Sequence, residues 1–243
     1  MTDHGSLIAS WHGKIPSLGD FASRRLPQNF IGAWDSWLQH AMAASRAHLG
    51  EKWLDLYLTS PIWRFALMPG ICGTSLWAGV LMPSVDNVGR YFPLTIVVQL
   101  DPHPETMAAV FSAHDWYAAL ERLALAMLNI NASLEDLERS LSENPFPPPQ
   151  VNVPSSDARE LATWWQTGSA GPKTLQLPTL SSLPDLFDAM ARDLLTATGF
   201  SKSLWWTSMT ESEMAQLHCF SGLPPEDYFA VLLEGIPPQK GRQ

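Results

Sequence analysis

The chain has 243 residues, 46% of them hydrophobic and only 16% charged, and a formal net charge of −9. So apolar a composition belongs to a core-forming chain and excludes an intrinsically disordered one. The acidic balance disfavours nucleic acid and anionic membrane as partners, because both need a basic face, and no apolar run approaches the ~20 residues of a membrane span.

The first residues, Met1-Thr-Asp-His-Gly-Ser6, lack the basic and apolar segments of a secretory signal, so a cytoplasmic protein is expected. Leu7–His12 reads as a short strand, followed by a loop from Gly13 to Asp20 broken by Pro16 and Gly19. A helix is expected from Pro27 to Gly50, with Phe30, Trp34, Trp37, Leu38, Ala41 and Met42 on one apolar stripe. A shorter amphipathic helix spans 51–58. Three β-branched and aromatic runs follow, Ile62–Met68, Ser75–Met82 and Phe92–Leu100, joined by turns short enough for antiparallel neighbours. Asp115 is a candidate N-cap for a helix over 116–130, and Ser133–Leu141 reads as a polar helix.

Pro145, Pro147, Pro148, Pro149 and Pro154 stiffen the stretch 144–154 into an extended connection. It divides the chain into 1–143 and 144–243. Beyond it, helices are expected over 157–167 and 184–198, then two strands, 203–208 and 216–220, around a polar turn at 209–214, and a last helix over 225–234. A lone hairpin cannot bury itself, so both halves are expected to form one body. The strands do not alternate one-for-one with helices. The expected fold is therefore α+β: a layered α/β/α arrangement around a mainly antiparallel sheet, with helices on both faces. Most of the eleven Trp residues are expected in the core and a few at a partner surface.

Chemistry is hard to find. Cys72 and Cys219 match no metal or redox spacing and read as reduced, buried thiols. The seven His residues show no metal-ligating pattern. Walker A and G-x-G-x-x-G sequences are absent, and Gly73-Thr-Ser75-Leu-Trp77 falls short of a nucleophile elbow at its last position. A small hydrolase using Cys72 or Ser75 is the enzymatic alternative. No cofactor is implied.

Two polar segments remain, Gly13-Lys-Ile-Pro-Ser-Leu-Gly-Asp-Phe-Ala-Ser-Arg-Arg25 and Pro83-Ser-Val-Asp-Asn-Val-Gly-Arg-Tyr-Phe-Pro93. They admit two readings. In one they are connectors: Asp20 or Ser17 bonds the loop backbone, Arg24 or Arg25 pairs with a carboxylate, and the second segment makes an Asx-type turn with its Gly at positive φ. In the other they form a polar recognition surface at one end of the sheet, with Asp20 or Asp86 approaching Arg90 or Arg24. Lys14, Ser17, Asp20, Phe21, Arg24, Ser84, Asp86, Asn87, Arg90 and Tyr91 are thus candidate partner-binding or loop-organising residues.

These same segments, with Trp34-Asp-Ser-Trp-Leu38, Trp63-Arg-Phe-Ala-Leu-Met-Pro-Gly70, Trp77–Leu94, Ser203-Leu-Trp-Trp-Thr207 and Phe220-Ser-Gly-Leu-Pro-Pro225, resemble the TagF (ImpM) family of type VI secretion accessory proteins. Region 140–200 carries no part of the resemblance. The resemblance implies a non-enzymatic cytoplasmic regulator that represses secretion after translation, linked to the forkhead-associated scaffold Fha and recruited through it to the inner-membrane complex. Some members are fused to a PP2C-type phosphatase domain; these 243 residues leave no room for one, so a stand-alone member is expected. A structural subunit of the apparatus is a further alternative.

Overall fold

A computed structural model describes residues 7–149, 156–167, 182–208 and 215–235. Seven strands form one sheet: β1 (Ser10–Gly13), β2 (Ala22–Arg24), β3 (Trp63–Leu67), β4 (Leu76–Met82), β5 (Leu94–Leu100), β6 (Lys202–Trp206) and β7 (Leu217–Ser221). Their order is β2-β1-β5-β4-β3-β6-β7, and every pairing is antiparallel. The helices are α1 (Gln28–Leu49), α2 (Trp53–Thr59), α3 (Pro104–Ser112), α4 (His114–Ala126), α5 (Leu134–Glu143), α6 (Ser156–Thr167), α7 (Ser182–Thr198) and α8 (Phe229–Glu234). The architecture is α+β.

The central strands are buried on both faces, which is why they read as nearly continuous apolar runs. Alternation along β3 separates two cores. Trp63, Phe65 and Leu67 point with Trp77 and Trp205 towards Phe30, Trp34, Trp37, Trp53 and Tyr57 of α1 and α2 and Phe229 of α8. Ala66, Ala78, Val80, Ile96 and Val98 point the other way, under Val110 of α3, Trp116 and Leu120 of α4 and Leu137 of α5. Six indole or phenyl rings, from Phe30 to Trp205, pack together on the first face at centroid distances of 4.3–5.9 Å, in stacked and tilted pairs. The C-terminal hairpin β6–β7 extends the sheet through β3, where Phe65 lies opposite Trp205. The described part of the Pro-rich connection is pinned down: the Phe146 N–H donates to Leu7 O at 2.8 Å, and its ring meets Trp116 edge-on.

Several boundaries differ from expectation. Asp115 is not the N-cap of α4; Ala113 occupies that position and its carbonyl accepts the Tyr117 N–H at 3.1 Å. Asp115 instead lies in the first turn, where a carboxylate complements the helix dipole. The same helix ends at Ala126 rather than Ile130, because Leu128 and Asn129 tighten to i→i−3 bonds and the Asn129 side chain accepts the Asn131 N–H. Helix α3 and strand β2 were not anticipated. Pro104 starts the former, with φ already suited to a first turn. The latter forms because Arg25 takes a positive φ of 62° and anchors its Nη2 on Ala9 O. Residues 51–58 split into a 3-10 turn, Gly50–Lys52, and α2, and the final helix likewise opens with a 3-10 turn, Glu226–Tyr228. The polar turn expected at 209–214 lies outside the described residues.

Candidate functional site

The β1–β2 connection and the β4–β5 connection meet at one end of the sheet. Each needs a glycine where they turn. Gly13 has φ 138°, and a Cβ there would sit 2.1 Å from Pro93 O; Gly89 has φ 83°. The two loops are then joined by backbone, the Asn87 N–H donating to Leu18 O at 3.2 Å.

Asp86 is the hub. Its side chain has no accessible surface, yet it carries a charge and two cations meet it: Lys14 Nζ at 2.8 Å and Arg90 Nε at 2.7 Å, both on Oδ2. Its Oδ1 accepts the N–H groups of Val88 at 3.1 Å and Arg90 at 2.8 Å, closing an Asx turn. Burial pushes the Asp86 carboxyl up. The hydrogen bond from Lys14, and those from Arg90 and Val88, outweigh it and hold the group below the usual carboxylate range. Ser84 supports the hub from beneath. Its Oγ donates to Lys14 O at 2.7 Å, and its backbone exchanges two hydrogen bonds with the Tyr57 hydroxyl. Burial pushes the Tyr57 phenol up, so it stays a neutral donor.

Arg90 links both loops. Besides Asp86 it donates from Nη2 to Gly19 O at 2.7 Å and stands 3.8 Å from Asp20, while its own side chain remains 55% accessible. Asp20 is exposed and caps the Phe21 N–H. Phe21 lies over Lys14 Nζ at 4.8 Å and against Phe92 at 4.7 Å, yet keeps 45% of its surface open. Val88, at the tip of the second loop, is 67% exposed. Asn87 is exposed beside Gly19. Tyr91 is half-buried, edge-on to Trp53 and Tyr57.

Two of the candidate residues stand apart from this cluster. Arg24 does not approach Asp20 or Asp86. The β2 register sets it opposite Trp11, and its Nε lies 3.5 Å from Glu138 of α5, which Arg25 and the Trp11 indole also bond. Ser17 is half-buried and makes no side-chain hydrogen bond among the described residues. Tyr57, Trp53 and Val88 were not singled out as site residues. Tyr57 and Trp53 are ordinary helix-stripe aromatics by sequence, and only folding brings α2 under the loop.

The nucleophile candidates are poorly placed. Cys72 is 1% exposed, and burial pushes its thiol up to about 12, so the thiolate needed for attack is scarce. Ser75 Oγ accepts Gln99 Nε2, a neutral amide that cannot act as a base. Cys219, expected to be buried, is exposed on β7. Among the described residues, no group of three or more His, Cys, Asp or Glu could hold a metal ion, and no helix is long and apolar enough to cross a membrane.

Residues 10–143 match the profile of the TagF N-terminal domain, type VI secretion system-associated. The chain belongs to the TagF family. A crystal structure of PA0076 from Pseudomonas aeruginosa PAO1 is similar over 97% of this chain and 100% of that one, at 33% identity and a TM-score of 0.72. No curated protein matches. Both TagF loops of this chain, Gly13–Arg25 and Pro83–Pro93, lie within the matched domain, as does the Asp86 hub. The protein is a type VI secretion accessory protein on that membership.

Proposed function

We propose that this TagF protein is a non-enzymatic, post-translational repressor of type VI secretion that binds a cytoplasmic component of the apparatus, the forkhead-associated scaffold Fha. One observation carries the reading: two loops from separate parts of the chain are braced into a single unit that presents Phe21, Val88 and Arg90 outward. Aromatic and Arg side chains are the usual energetic anchors of interfaces, and fixed ones lose little entropy on binding. A loop braced only to close a sheet would have no need of exposed apolar side chains at its tip. The inert setting of Cys72 and Ser75 favours a binding role over hydrolysis.

The test is secretion of the tube protein in a host with an active system. Deleting the gene raises secretion and overexpression suppresses it. Phe21→Ala and Val88→Asp relieve the suppression; Val88→Asp melts like the wild type because its side chain is 67% exposed, whereas Phe21→Ala also loses its contacts with Phe92 and Lys14 and melts slightly lower. Suppression that survives both substitutions removes the loop surface from the interface. Overexpression that leaves secretion unchanged removes the repressor role itself.

A further inference from the structure

Beside the loop unit, the end of α1, the following 3-10 turn and the start of α2 enclose an open groove of about 630 Å³ with Gly89, Arg90 and Tyr91 on its other wall. We infer that this groove docks an acidic, carboxylate-bearing segment of the partner protein, an inference that rests on the binding role proposed above. Two guanidinium groups line it, although the chain as a whole is acidic. Arg46 places its guanidinium carbon over the Trp53 ring at 4.1 Å and makes no ion pair among the described residues. Arg90 is held at Nε and Nη2 by Asp86 and Gly19, which leaves its Nη1 edge free on an exposed side chain.

Both cations are therefore oriented before any ligand arrives. An Arg fixed by stacking or by a buried carboxylate gives up little rotamer freedom on binding, and its planar fork suits a carboxylate. Leu54, 37% exposed, adds an apolar side chain to the groove lining. Glu51 is the one carboxylate lining the groove, and it disfavours a doubly charged phosphate more than a single carboxylate. The match is to a peptide that alternates acidic and apolar side chains.

Two arms test this separately from the repressor role. In the first, a short Glu- and Leu-containing peptide is titrated into isotope-labelled protein. Resonance shifts at the Trp53 indole and at Gly89 and Tyr91 are expected, and a Lys-containing peptide gives none. No shift with the acidic peptide overturns the groove whatever the scaffold does, and preferential shifts with a phosphothreonine peptide overturn the carboxylate assignment. In the second arm, purified scaffold is titrated against wild type, Arg46→Gln, Arg46→Glu and Arg122→Glu. Arg122 is exposed on α4, on the opposite face of the sheet, and makes the same charge change elsewhere. Arg46→Glu is expected to weaken binding about tenfold or more, Arg46→Gln less, and Arg122→Glu not at all. Equal affinity for Arg46→Glu and wild type overturns the groove as the scaffold's contact. Peptide binding without any scaffold binding upholds the groove and removes the scaffold as its partner, while the repressor role stands or falls on the secretion assay.

Discussion

Two ion clusters in this protein use similar chemistry and reach opposite results. Arg64 of β3 meets Glu121 of α4 through a bidentate pair, 2.7 and 2.8 Å, with only 8% and 15% of the two side chains accessible. Tyr117 of α4 stacks near the same guanidinium at 5.5 Å. That cluster clamps a helix to the sheet and offers nothing to a partner. At the Asp86 hub the carboxylate is the buried member, and one of its two cations faces outward. The lesson is that a buried charge is a structural device in both places, but its orientation decides whether the device also displays a functional group.

The largest effect is expected where the clamp is closed. Arg64→Met leaves Glu121 without a partner in a low-dielectric contact and should cost about 3–5 kcal/mol, visible as a fall in melting temperature of roughly 10 °C. The pair variant Arg64→Met with Glu121→Leu should recover most of that loss, since well-packed apolar replacements for buried ion pairs are often neutral. A double variant as unstable as the single one would show that the pair contributes more than its charges.

Next comes the hub itself. Asp86→Asn strands the Lys14 ammonium, which is 5% accessible, and frees both loops, so both the melting temperature and partner binding should fall together. Acid exposes the same group. A carboxylate whose native pKa is lowered stabilises fully above its unfolded value and loses that contribution as pH falls below about 4. The wild type should therefore weaken on this acid limb, and Asp86→Asn should show a flatter one; parallel limbs in urea melts would remove Asp86 as a source of acid sensitivity.

Arg90→Ala separates display from structure. Its side chain is half open to solvent, so its stability cost should be about 1 kcal/mol, while binding should weaken roughly thirtyfold, or about 2 kcal/mol. A variant that unfolds as readily as Arg64→Met would place Arg90 in the structural class. The smallest effect belongs to Cys72→Ala, expected to cost about 1 kcal/mol by removing one buried sulfur and to leave suppression of secretion intact. Lost suppression with a normal melt would return the thiol to consideration as a reactive group.

Local signals in the sequence determined a good deal. The apolar runs of β3, β4 and β5 and the stripe of α1 from Phe30 to Met42 were legible, because strand and helix periodicity depend on neighbours a few residues away. An Asx turn in the β4–β5 loop and its glycine at positive φ were legible for the same reason, although that Asp86 rather than Asn87 makes the turn was not. Tertiary structure alone decided the rest. Strand β2 exists because Arg25 reaches Ala9 and Glu138, the latter more than a hundred residues away in sequence. Arg24 was drawn to Glu138 instead of Asp20, since strand register rather than charge set its direction. Likewise, Lys14 meets Asp86 only after β1 and β5 pair, and Arg46 comes to face Arg90 only after α1 packs on the aromatic face of the sheet. Periodicity carries no information about which distant charges will be brought together. That is set by register and packing, and in this protein it is also what separates a clamp from a binding surface.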